Sequence, residues 1–114
     1  MLQRLHRDRL NLNVPVSHGE GGSPLGRLYD LSLGGFSLTG SGVPPDPTVT
    51  DIAVTLPWAV QGLRFVNVTA EQRWTQQSGG RWRVGYRIVS CPDDQLVALN
   101  KLSPRASTQV SMRA

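Results

Sequence analysis

Residues 30 to 36 read Asp30-Leu-Ser32-Leu-Gly34-Gly35-Phe and concentrate more usable chemistry than any other stretch of the chain. On an extended strand Asp30 and Ser32, two apart, point to the same side, while Leu31 and Leu33 point to the other. The paired glycines let the backbone turn sharply and let a ligand come close. Upstream, Arg4, Arg7 and Arg9 crowd a short arm. A guanidinium fork can grip phosphate or the O6 and N7 acceptors of guanine, and a carboxylate can accept guanine N–H donors. These residue types together suit an anionic purine ligand. Residue chemistry alone favours a plainer reading, a β-turn in which Asp30 and Ser32 cap backbone groups.

Few other residues offer chemistry. The single Cys91 excludes an internal disulfide and any multi-cysteine zinc site. Its place before Pro92 at a helix start could favour a thiolate, but a small packing role suits it better. His6 and His18 are too few for a metal centre, and no Walker or dinucleotide glycine pattern follows a strand. Asn67-Val-Thr69 fits a glycosylation acceptor only by chance, inside a strand. Neither catalysis nor a metal is expected. Of the 12 basic residues 11 are Arg, against 8 acids, for a net charge of +4. That excess suits an anionic partner, although codon usage rich in Arg accounts for composition alone more simply.

The elements that must carry these residues are mostly strands. A chain of 114 residues fits one domain, and its 12 Gly and 8 Pro imply many turns. Apolar and polar residues alternate over Leu10–Val16, with Pro15 suggesting an edge or a strand margin. Alternation returns over Leu25–Leu31, with Leu28 or Tyr29 inward, and over Phe36–Thr39. It continues over Val49–Leu56, ending at Pro57, then over Leu63–Trp74 and Trp82–Ile88. His18–Pro24 and Gly40–Pro47 read as loops, and Gln76–Gly80 as a hairpin loop. A helix is predicted over Asp93–Leu102, with Pro92 at a first helical position and Lys101 in its last turn. The expectation is all-β: six antiparallel strands and a C-terminal helix that closes a small barrel. Residues 1–9 form an Arg-rich flexible arm, 10–103 the barrel with its helix, and 104–114 a disordered tail. No run is long and apolar enough to span a membrane. The start carries no secretory signal, so a cytoplasmic location is expected, alone or within a larger membrane-associated protein.

Asp30-x-Ser32-x-x-Gly35 matches the D/N-x-S-x-x-G signature of PilZ domains and follows an Arg-rich arm and first strand, as in that family. Trp82-Arg-Val-Gly85-Tyr-Arg-Ile resembles the family's last strand. The chain thus resembles PilZ domains over roughly residues 4–102. The resemblance implies a six-stranded β-barrel that binds cyclic di-GMP, has no catalytic role, and passes the signal to a protein effector in cis or trans. Exopolysaccharide synthesis, biofilm formation and motility are the processes it implies. Carried onto this sequence, the ligand-binding set is Arg4, Arg7, Arg9, Asp30, Ser32, Gly34, Gly35 and Arg87. The family's R-x-x-x-R arm is altered: Arg9 fits its second position and Leu5 occupies its first, flanked by Arg4 and Arg7. The alternative is a nucleotide-independent adaptor using exposed aromatics such as Trp58. A nucleic-acid polymer is not an expected partner.

Overall fold

The structure, a computed structural model, describes residues 8–10, 12–19, 21–32 and 34–102. Its strands are β1 (Asp8–Arg9), β2 (Pro15–His18), β3 (Pro24–Ser32), β4 (Gly35–Ser41), β5 (Asp51–Val60), β6 (Leu63–Ser78) and β7 (Arg81–Ser90), followed by helix α1 (Asp93–Asn100). Every pairing is antiparallel. β2 joins β3 and β5, β5 joins β6, β6 joins β7, β7 joins β4, and β4 returns to β3. The ring is therefore a closed six-stranded barrel, which leaves no open sheet edge. β1 lies on the same edge of β3 as β2, further along.

The predicted first strand, Leu10–Val16, is thus interrupted. The Leu10 N–H donates to Tyr29 O and Val14 O accepts from the Leu28 N–H, but Leu12 and Asn13 lie outside the ladder. Leu12 is exposed as a result, while Leu10, Val14 and Val16 are buried. Further boundaries move: His18 and Pro24 join β2 and β3, and Gly40 and Ser41 join β4 rather than the predicted loops. β5 runs past Pro57 to Val60 because a register shift between Thr55 and Val60 frees the proline from donating. β6 and β7 extend until only Gly79 and Gly80, at φ +59° and +79°, form the turn. That pair of left-handed residues is what a two-residue hairpin with native twist requires. The helix ends at Asn100, with Pro92 as its N-cap and Lys101 as its C-cap rather than in the last turn.

Alternation fills the barrel as the sequence suggests, with Phe36, Leu38, Ile52, Val54, Leu56, Val66, Val68 and Val84 buried inside. Phe36 and Tyr86 stack at 5.4 Å between ring centroids, fixing β4 against β7. Helix α1 packs on β6, and its Ala98 and Leu99, with Leu102 beyond it, join the same core. The Asn67 N–H, beyond the paired part of β7, donates to Gln95 Oε1 at 2.7 Å. The helix therefore satisfies a backbone donor that the barrel leaves open. Leu99 is fully buried at 0% exposure, so Leu99→Ala should cost about 2–5 kcal/mol in urea denaturation. Val97→Ala, on the exposed side of the helix, should stay within about 0.5 kcal/mol.

Candidate functional site

Two β-bulges set the geometry of one outer face. In β3 the pairing with β4 steps from Leu28↔Leu38 to Asp30↔Ser37, leaving Tyr29 as an extra residue. In β6 the pairing with β7 steps from Gln72↔Tyr86 to Trp74↔Gly85, leaving Arg73 extra. An inserted residue flips the in–out phase of everything beyond it. The bulge at Tyr29 is why Leu28 and Leu31, three apart, both reach the core. Beyond the bulges a transverse row crosses five strands: Arg9, Asp30, Ser37, Gly85 and Trp74 are register partners in turn. Flanking it run Ser32–Gly35–Arg87–Glu71 on one side and Arg27–Thr39–Arg83–Gln76 on the other.

Asp30 is the centre of this face. Its side chain is only 4% exposed, yet it faces away from the core, covered by its neighbours. Ser37 Oγ donates to Asp30 Oδ1 at 2.6 Å, and Arg83 Nη2 donates to Asp30 Oδ2 at 3.3 Å. A buried carboxylate needs such donors to stay charged. The Arg83 guanidinium also lies 4.1 Å from the Tyr29 ring centroid and 5.4 Å from that of Trp74. The Arg9 guanidinium lies 4.2 Å from the same Tyr29 ring. Gly85 makes room for this cluster, since a Cβ there would run into the Trp74 indole.

The structure therefore brings Arg9 to Asp30 and sets Ser32, Gly35 and Arg87 in the adjacent row. Arg4 and Arg7 lie outside the described residues, as does Leu33. Ser32 Oγ donates to Gly35 O at 3.4 Å, closing the turn between β3 and β4. Gly34 is exposed at φ +91° with open space around it, and Gly35 is buried with ordinary φ. Gly35 is required by contact: a Cβ there would stand 2.6 Å from Tyr86 O. Arg87 is half exposed and donates from Nε to Glu71 Oε1 at 3.1 Å; Arg73 shares that carboxylate at 3.2 Å. The Arg87 hydrogen bond, and then that of Arg73, hold the Glu71 carboxyl below its usual range. Sequence reasoning missed Tyr29, Ser37, Trp74 and Arg83. The available signal was Gly85, a gap between Arg83 and Arg87 in a row of large polar residues.

The profile of the PilZ domain family matches residues 3–103. The chain belongs to the PilZ domain family. No curated protein matches it closely enough to count as a relative. PilZ domains are cyclic di-GMP receptors and adaptors, binding modules rather than enzymes. In this PilZ barrel the family signature occupies the β3–β4 hairpin, with the bulge at Tyr29 just before it.

Among the described residues, no three His, Cys, Asp or Glu side chains gather as metal ligands, and no helix is long and apolar enough to cross a membrane. A cavity of about 240 Å³ lined by Asp51, Asn67, Thr69, Ser90 and Pro92 lies apart from the Asp30 row. Burial, then the charges of Asp94 and Asp93, push the Cys91 thiol up, so the helix start does not activate it.

Gly35→Val must displace the β7 backbone at Tyr86, so thermal melting should show the larger loss there. Gly34→Ala meets open space and carries only the cost of a positive φ, about 1–2 kcal/mol. A raised pKa lowers the thiolate fraction at any given pH. Cys91 in the folded protein should therefore react with iodoacetamide at neutral pH more slowly than in the urea-unfolded chain.

Proposed function

We propose that this PilZ barrel senses cyclic di-GMP on the outer face of β3 and β4, gripped between the N-terminal arm and the D-x-S-x-x-G hairpin. The observation that carries the reading is the register pairing of Arg9 with Asp30. It brings an exposed arm guanidinium to the strand that bears the signature. In this reading Arg9 forks onto a phosphate or a guanine edge, Asp30 accepts a guanine N–H, and the Ser32 hydroxyl and Gly34 backbone border the ligand. Arg4 and Arg7 add their charge from the arm. Binding changes the surface that the arm and the β3–β4 hairpin present, and a protein effector reads the bound form. The downstream process belongs to exopolysaccharide synthesis, biofilm formation or motility.

A second reading has its own observation. Trp58 is 50% exposed and Phe65 38% exposed, both near the β5–β6 hairpin, and Glu71 already engages Arg87. These features suit an adaptor that meets a protein partner without nucleotide. Calorimetric titration with cyclic di-GMP separates the two. The wild-type chain should release or absorb binding heat, and Arg9→Ala and Asp30→Ala should each weaken affinity about tenfold or more. Unchanged affinity in both variants would remove the assigned site, and no heat from the wild type would leave the adaptor reading standing.

A further inference from the structure

Arg83 is the most unusual side chain on this face. It sits on β7, its side chain is one-third exposed, and among the described residues that side chain makes one hydrogen bond, the 3.3 Å contact from Nη2 to Asp30. Its Nε is buried and has no partner among the described residues. A guanidinium presents five donors in a rigid fork, so most of this one's capacity is unused. Arg9 and Arg83 both lie over the Tyr29 ring, at 4.2 and 4.1 Å from its centroid. Two like charges converging on one ring repel, and among the described groups only the buried Asp30 carboxylate pairs with either. The cluster of Arg9, Arg83 and Asp30 carries a surplus positive charge, with donors to spare.

Resting on the nucleotide reading above, we infer that Arg83 supplies the second guanidinium of the clamp, from the barrel wall rather than from the arm. Arg9 and Arg83 then grip the same ligand phosphate from β1 and β7, with Tyr29 as the shared platform for both forks. The arm has Leu5 four residues before Arg9, so no second fork stands at that spacing. Asp30 has a matching role. It accepts from Arg83 through one oxygen. When Arg83 turns to phosphate, that oxygen exchanges a guanidinium N–H for a guanine N–H, and Ser37 keeps the other oxygen bonded throughout. The carboxylate is never left without a donor, so the exchange avoids the penalty of an unpaired buried charge.

The test is titration of the full chain with cyclic di-GMP, comparing wild type with Arg83→Lys, Arg83→Ala, Arg9→Ala, the Arg9→Ala/Arg83→Ala double variant and Arg64→Ala. Arg83→Lys keeps a cation beside Asp30, so it should fold, but it loses the planar fork. Both Arg83 variants should weaken binding about tenfold or more. The double variant should lose less than the product of the single losses, as two groups sharing one phosphate require. Arg64→Ala removes the same charge from the far end of β6 and should change affinity less than about twofold. Melting curves establish folding, and if Arg83→Ala does not fold, Arg83→Lys decides. Wild-type affinity in folded Arg83→Lys, with Arg9→Ala still weakened, overturns the clamp and leaves the nucleotide reading intact. A wild-type chain that binds no cyclic di-GMP overturns both.

Discussion

The outer face of this barrel is organised around one buried carboxylate. Asp30 is 3% exposed, and a charge so placed is tolerated only while hydrogen-bond donors hold it. One donor comes from Ser37 across the β3–β4 pairing and another from Arg83 on β7. These contacts tie three strands together on the side opposite the hydrophobic core. They also dictate what surrounds them. Arg83 must reach over the sheet, Tyr29 packs against its guanidinium, and Trp74 lies flat only because position 85 has no side chain. The two bulges deliver these groups: without Tyr29 as the extra residue Asp30 would shift phase toward the core, and without Arg73 so would Trp74.

The strands were legible because period two survives wherever pairing is regular. Trp82, Val84 and Tyr86 against Arg81, Arg83 and Arg87 needed nothing else to be assigned inward and outward, and burial follows that division. Legibility failed where a residue is inserted. Leu28 and Tyr29 competed for the inward position because the spacing to Leu31 changes parity at the bulge, and alternation cannot say which residue is extra. Leu12 failed for a different reason: it lies outside the ladder, in a bend between Leu10 and Val14. The hairpin before Gly80 was drawn too long because Gln76, Gln77 and Ser78 are polar. Yet they pair with Arg83, Trp82 and Arg81, with their own side chains exposed on β6.

The signature segment was legible as a motif, and the basis for two of its members changed. Gly35 looked like a conformational glycine, but Gly34 holds the positive φ, and Gly35 is fixed by the nearness of the Tyr86 carbonyl. Asp30 looked like an open ligand group, but it is already bonded within the face. Arg83 could not be chosen from sequence, because alternation places Arg81, Arg83 and Arg87 on the same side without ranking them. What distinguishes it is the cross-strand neighbourhood: Asp30 lies 53 residues earlier in the chain.

Charge is spread unevenly over the same face, and this bears on how any anion meets it. Toward β6, Glu71 balances Arg73 and Arg87 through two exposed contacts. Pairs of that kind are strongly screened by salt and contribute little to stability. Toward β3, Arg9 and Arg27 have no carboxylate in salt-bridge reach among the described residues, and Arg83 pairs with the buried Asp30 at 3.3 Å. The guanidinium charge without a paired carboxylate therefore lies toward β3 rather than toward β6. Uncompensated positive charge of this kind favours the approach of an anion on that side of the face. On the β6 side the Arg87 guanidinium is already engaged by Glu71 through Nε. The buried Asp30 carboxylate offsets the Arg83 charge, so the exposed excess on that side is carried by Arg9 and Arg27.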